Sequence, residues 1–341
     1  MSVLTTQDNP LTHRLEGELA QVRRLFAQEL QSDLACVNEL AGHVQRYHGK
    51  MLRPMLVLAT AMAVEPDAET ADHKHLVAAA VVEMVHVATL VHDDVLDEAR
   101  MRRQGQTINQ LRGNEAAVML GDYLISHAYH LCSSLGSTRV SRIIAHATNT
   151  VCEGELLQLS NRKNLKLDEP TYFDIITRKT ASLCGACCRV AAELSGCPQD
   201  VTDALYAYGE TLGIAFQIID DVLDLTGEQA TVGKTLGLDL AKGKLTLPLI
   251  HAIASANAPR RQELLDLLKA QTDPALSEQD ASAGTRRVRE VLEAGKSLEY
   301  ARDRSVALIE NAKTGLLRHL DDTPARAYLI GMSDSVLTRR R

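Results

Sequence analysis

An all-α fold is predicted by three observations. Apolar residues recur at spacings of three and four almost throughout, as in Leu76, Ala79, Ala80, Met84, Val87 and Ala88, while strict two-residue alternation is scarce. Turn signals are few, so the stretches between them are long enough for multi-turn helices. Aromatic residues make up only 3% of the chain and Trp is absent, so Leu, Val, Ile and Ala must pack the core. Such small side chains let helices lie close together or leave a long apolar cavity between them.

The elements follow in order. YHGKMLRPMLVLA opens an apolar helix near Pro54, and the periodic stretch around Leu76 to Ala88 continues as a helix into HDDVLDEA. Gly113-Asn114 and Gly136-Ser137 mark turns, and the polar stretch SNRKNLKLDEP separates helices up to Pro170. TASLCGACCRVAAELSG reads as helix as far as Gly196-Cys197-Pro198. GIAFQII leads a buried helix into a second acidic segment, followed by a Gly-rich loop from Gly227 to Gly243. Between Ala256 and Gly284 the polar composition predicts a loop or a peripheral helix pair. No linker divides the chain, so residues 1–341 read as one helical domain.

With 341 residues, 45% of them hydrophobic, the chain can bury a large core. A net charge of −7 with no basic stripe argues against nucleic acid as a partner. Neither a leader nor an uninterrupted apolar run of membrane-spanning length is present, so a soluble cytoplasmic protein is expected. Seven cysteines without regular spacing fit reduced thiols. Cys184, Cys187 and Cys188 contain a C-x-x-C spacing, but no second pair or His cluster accompanies it, so they read as small buried residues rather than a zinc or redox site.

The chemistry is carried by a repeat. Asp-Asp-Val-Leu-Asp occurs at Asp93 to Asp97 and again at Asp220 to Asp224. On a helix Asp93 and Asp97 share a face, as do Asp220 and Asp224, so each segment presents clustered carboxylates. Like charges so close repel unless they share hard cations, and two facing clusters would hold Mg²⁺ with positions open to phosphate oxygens. The first cluster is followed by Arg102 and Arg103, whose guanidinium forks suit a diphosphate. The second is followed by Lys234 and Lys244, in a Gly-punctuated loop beside Asp239 that can close over an anionic ligand. Gly49, Lys50 and Arg53 at a helix start form a natural diphosphate pocket, and His86, seven residues before Asp93, falls on the same face.

The motifs GKxxRP, HDDVLDEA with Arg102-Arg103, EGELLQL, KTASL, FQIIDDVLD and GKxxGxDLxxGKxTLP resemble, in order, those of the trans-prenyltransferases, the head-to-tail polyprenyl diphosphate synthases. The resemblance implies an isoprenoid synthase bundle around a large central cavity, a homodimer, and Mg²⁺, three ions per site, held by Asp93, Asp94, Asp97, Asp220, Asp221 and Asp224. It implies isopentenyl diphosphate on Lys50, Arg53, His86 and Arg103. Arg102, Lys179, Thr180, Gln217, Lys234 and Lys244 would bind or enclose the allylic diphosphate, with Thr180 and Gln217 stabilising a carbocation. One departure is Gln104, inserted where the family has Gly directly after the two arginines; it makes their aim less defined.

Ala88 and Thr89, just before the first motif, are small where bulky aromatics block chain growth in the family, and Met84, Val85 and residues 146–152 would form deeper walls. A medium- to long-chain product of roughly eight isoprene units is therefore expected from the depth such a helix offers. The competing readings are a farnesyl or geranylgeranyl synthase, a terpene cyclase, and a non-catalytic regulatory subunit. A cyclase has no use for Lys50, Arg53 and His86, and the family's non-catalytic subunits lack the Asp-rich motifs.

Overall fold

The computed structural model describes residues 10–47, 49–68, 70–102, 105–226, 237–273 and 275–339. In chain order the helices are α1 (Pro10–Glu29), α2 (Ala35–Val44), α3 (Leu52–Val64), α4 (His73–Leu96), α5 (Ile108–Ser133), α6 (Thr138–Ser160), α7 (Glu169–Ile176), α8 (Ser182–Leu194) and α9 (Gln199–Thr226). After them come α10 (Leu238–Ala241), α11 (Leu247–Ser255), α12 (Ala258–Gln271), α13 (Glu278–Ala294), α14 (Ser297–His319) and α15 (Pro324–Leu337). Among the described residues the only strands are the two of a short antiparallel hairpin, Met101–Arg102 with Gly105–Gln106, between α4 and α5. The fold is all-α, as the periodicity predicts.

Helix starts follow local chemistry. Asp72 caps α4 by accepting the Lys74 N–H, and Asp168, with Pro170 just inside the first turn, caps α7 through the Thr171 N–H. The turn expected at Gly113-Asn114 is instead a kink inside α5, where Gly113 takes φ 84° and the helix resumes. The stretch between Ala256 and Gly284 forms α12 and the start of α13, the helix pair rather than the loop.

Two long helices carry the repeated pentapeptide. α4 is buried on most of its circumference and packs against α1, α3, α5 and α8. It is long and apolar enough to cross a membrane, but 78% of its apolar window is buried within the fold, as in the central helix of a bundle. α9 joins two apolar cores. Leu205, Leu212 and Ile219 belong to the core built on α1–α6 and α8, and Ile218, Val222 and Leu225 to the core built on α7 and α11–α14. Both pentapeptides therefore lie near helix C-termini fixed by surrounding layers: Asp97 caps α4, and Asp224 is two residues from the end of α9.

Candidate active site

Side chains lining one cleft link the two motifs along two routes. Along one, Lys244 Nζ lies 3.2 Å from Asp97 Oδ2 and 3.9 Å from Asp239 Oδ1, while the Asp239 N–H donates to Asp224 Oδ2 at 3.3 Å. Along the other, Lys179 Nζ lies 3.7 Å from Asp93 Oδ2, and its neighbour Thr180 donates from Oγ1 to Gln217 Oε1 at 3.0 Å. Gln217 in turn donates to Asp221 Oδ1 at 2.8 Å. Lys179, Thr180, Gln217, Asp221, Asp239 and Lys244 line a cleft with an apolar side at Leu167, Ile175 and Ile176.

The two middle aspartates, expected as metal ligands, are the most enclosed of the six. Asp94 is 1% exposed and Asp221 4% exposed, and both oxygens of each are hydrogen-bonded within the protein. Asp94 accepts from Tyr47 Oη at 2.9 Å and from Arg102 Nε and Nη2 at 2.8–3.0 Å. Asp221 accepts from Tyr172 Oη at 2.7 Å as well as from Gln217. Helical geometry sets the second residue of each motif about 100° round the helix from the first, which buries Asp94 and leaves Asp221 on the sheltered floor of the cleft. Each copy thus pairs a buried aspartate with a tyrosine. Burial, then Asp239, pushes the Asp221 carboxyl well above the usual range.

Charge is dense around the outer aspartates. Asp97 takes Arg162 Nη2 at 2.7 Å and Lys242 Nζ at 2.9 Å as well as Lys244. Burial alone would raise its carboxyl, but Lys244 and Lys242 outweigh that and hold it at about 2. Asp93 is raised, first by burial and then by Glu155 and Asp97, against the pull of Lys179. Lys179 itself pairs with Glu155 and donates to Gln158 Oε1 at 2.8 Å. Burial opposes its charge, yet Asp93 and Glu155 prevail and raise the ammonium. Asp220 pairs with Arg339 at 2.7 Å, and that guanidinium lies 4.0 Å over the Phe216 ring.

Backbone irregularities aim these groups. Lys179 and Thr180 sit in a π-helical turn, Thr177–Ala181, of the kind that often marks functional positions. The turn is held closely from two sides, because a Cβ on Gly154 would lie 2.4 Å from the Lys179 nitrogen and one on Gly213 2.6 Å from Ala181 Cα. Gly154→Ala is therefore expected to lower kcat by about 10- to 100-fold through misplacement of Lys179 and Thr180, with an unchanged helical circular dichroism spectrum. A kcat equal to wild type would show that the turn tolerates displacement. Lys163, at φ 63°, donates its N–H to Gly243 O at 2.8 Å, tying the α6–α7 connection to the segment that bears Lys242 and Lys244.

The remaining predicted residues are less concentrated. Lys50 is exposed, and Arg53 is half-buried in the first turn of α3, close enough to Cys184 and Cys187 to act on their thiols. Between them Met51 takes the left-handed conformation at φ 48°, a strain of about 1 kcal/mol for a side-chain-bearing residue, held by burial of its side chain. His86 and Thr89 are half-buried on the Asp93 side of α4, and Ala88 is fully buried. Arg103, Gln104 and Lys234 lie outside the described residues. All seven cysteines are free thiols, and burial pushes Cys188 up to about 12. Sequence reasoning missed Tyr47, Tyr172, Arg162 and Lys242. The last two were visible only as basic residues in polar loops, and the tyrosines carried no signal before the core was assembled.

The sequence model of the polyprenyl synthetase family matches residues 35–282. Octaprenyl diphosphate synthase of Escherichia coli (strain K12) is 36% identical over 324 residues, spanning 95% of this chain and 96% of that protein. The crystal structure of a decaprenyl diphosphate synthase from Rhodobacter capsulatus superposes with a TM-score of 0.87 at 36% identity, over 97% of this chain and 98% of the other. A polyprenyl synthase from Caulobacter crescentus CB15, crystallised with calcium and isoprenyl diphosphate, gives a TM-score of 0.87 at 33% identity, over 96% and 98% of the two chains.

Proposed function

The chain belongs to the polyprenyl synthetase family and is a prenyltransferase of the isoprenoid synthase fold, and from that premise we propose its reaction: head-to-tail extension of an allylic prenyl diphosphate with isopentenyl diphosphate. The product is a medium- to long-chain all-trans polyprenyl diphosphate. The observation that carries this reading is the convergence of both pentapeptides on one cleft lined by Lys179, Thr180, Gln217 and Lys244.

The donor set fits a hard divalent cation, since the outer aspartates offer carboxylate oxygens only. Asp93 and Asp97 would hold Mg²⁺ on one side, and Asp220 and Asp224 on the other. The choice of Mg²⁺ and a count of three rest on the family resemblance. Bound there, the ions would neutralise diphosphate oxygens and favour departure of the diphosphate. Asp94 and Asp221 act as positioning residues, the first orienting Arg102 and the second Gln217. Lys179, Lys244 and Arg102 place positive charge on the allylic diphosphate, a role the resemblance extends to Lys234. Thr180 and Gln217 turn oxygen dipoles toward the allylic carbocation. Lys50, Arg53, His86 and Arg103 take isopentenyl diphosphate, whose double bond attacks that cation. The proton then released passes to an oxygen of the departing diphosphate.

Purified protein given an allylic primer, labelled isopentenyl diphosphate and Mg²⁺ is expected to place label in chains beyond geranylgeranyl. A product that stops at farnesyl would overturn the long-chain reading, and no incorporation with any primer the enzymatic one. An octaprenyl-length product is the finer proposal, supported by the Escherichia coli relative. Thr89 is the better probe of length because it shares the face of Asp93, whereas Ala88 lies roughly 140° round α4 in a fully buried position. Thr89→Phe is expected to shorten the product with the first condensation intact. Ala88→Phe should also shorten it, at a stability cost of about 1–3 kcal/mol from overpacking.

A homodimer is supported by exposed apolar residues on α5, Val118, Met119 and Tyr129, and by Leu156 on α6. The seven free thiols are consistent with a cytoplasmic location, and the two cores shared along α9 with one folding unit.

A further inference from the structure

Far along the chain from either pentapeptide, three metal-competent side chains meet at one point. Glu29, the last residue of α1, accepts at Oε1 from His127 Nδ1 at 3.2 Å and from His130 Nδ1 at 2.8 Å. The two imidazoles stand three residues apart on one face of α5, and the three ligand atoms all lie within 4.8 Å of one another. Tyr123 packs on the His127 ring with centroids 4.3 Å apart and fixes its plane. We propose that Glu29, His127 and His130 form a second cation site, selective for a transition metal ion such as Zn²⁺ and separate from the carboxylate-rich cleft.

Three features separate this cluster from a plain hydrogen-bonded tie. Both imidazoles converge on the same carboxylate oxygen through the same ring nitrogen, which sets three potential ligands around one point. The edges of a zinc tetrahedron with ordinary Zn–N bonds are about 3.3 Å, close to the 3.2 and 2.8 Å from Glu29 to the two imidazoles, so small movements would admit an ion. The side chains of Glu29 and His127 are 17% and 26% exposed while that of His130 is 77% exposed, giving a sheltered floor and one open side where water completes the coordination. Two imidazoles and a carboxylate favour zinc, copper or nickel over magnesium, which prefers oxygen alone. An ion held there would clamp the end of α1 to α5, and both helices pack on α4, which bears the first pentapeptide.

Cobalt(II) tests this directly, because four-coordinate Co²⁺ absorbs in the visible where Mg²⁺ is silent. The full-length protein, saturated with Mg²⁺ to fill the carboxylate cleft, is expected to bind one equivalent of Co²⁺ with tetrahedral d–d bands that Zn²⁺ displaces. His130→Ala, at an exposed position that cannot threaten folding, should weaken this binding by about 100-fold or more, and Glu29→Gln should do the same. Both variants should keep Mg²⁺-dependent prenyl transfer. A wild type without stoichiometric tetrahedral bands, or a His130→Ala protein that binds Co²⁺ as tightly as wild type, would overturn the site.

Discussion

Asp93→Asn is expected to lower kcat by about 10³-fold or more while the protein stays at least as stable as wild type in metal-free buffer. The argument joins position to charge. Asp93 lies 3.7 Å from Lys179, which lines the cleft, and shares its helix face with Asp97, so its carboxylate is placed to serve bound diphosphate through a metal. The folded protein does not benefit from its ionisation. Burial, then Glu155 and Asp97, raise its carboxyl above the unfolded value, so its contribution to stability is present at low pH and lost as pH rises through the folded value. At neutral pH the charge is a net cost that Asn removes. Steady-state kinetics with thermal unfolding checks both halves; a kcat within about tenfold of wild type would refute the assigned role.

Asp94→Ala is expected to fail in the opposite way, by losing about 3 kcal/mol of stability. Asp94 is 1% exposed and is the acceptor for both Arg102 and Tyr47. Tyr47 Oη in turn accepts the Ile108 N–H at 3.3 Å, so this one carboxylate ties the segment before α3, the hairpin and the start of α5 to α4. Removing it strands a guanidinium and a buried hydroxyl, and the penalty falls mainly on those orphaned donors. Urea unfolding of the two variants side by side gives the contrast. A stability loss under about 1 kcal/mol, with activity as low as in Asp93→Asn, would instead make Asp94 a metal ligand.

These two neighbours show how much of the site was legible beforehand. A four-residue repeat on a helix was enough to put Asp93 with Asp97 and Asp220 with Asp224, because side-chain direction along a helix depends on spacing alone. The same rule, carried one residue further, turns Asp94 and Asp221 about 100° away, yet treating each pentapeptide as a unit hid that difference. Lys179 and Lys244 were named from motifs the sequence shares with a family. Their reach to Asp93 and Asp97 depends on a π-helical turn and on a loop pinned by Lys163 and Gly243, neither of which has a period to read.

By itself the sequence determined the all-α class, the two helices that carry the carboxylates, and which aspartates share a face, since all three follow from local periodicity. Tertiary structure alone decided the rest. It gave the second aspartate of each copy a buried tyrosine partner, surrounded Asp97 with Arg162, Lys242 and Lys244 from distant segments, and brought Glu29 to His127 and His130. Such meetings join residues tens to more than a hundred positions apart, and packing of helices around two cores, not any local pattern, sets their distances.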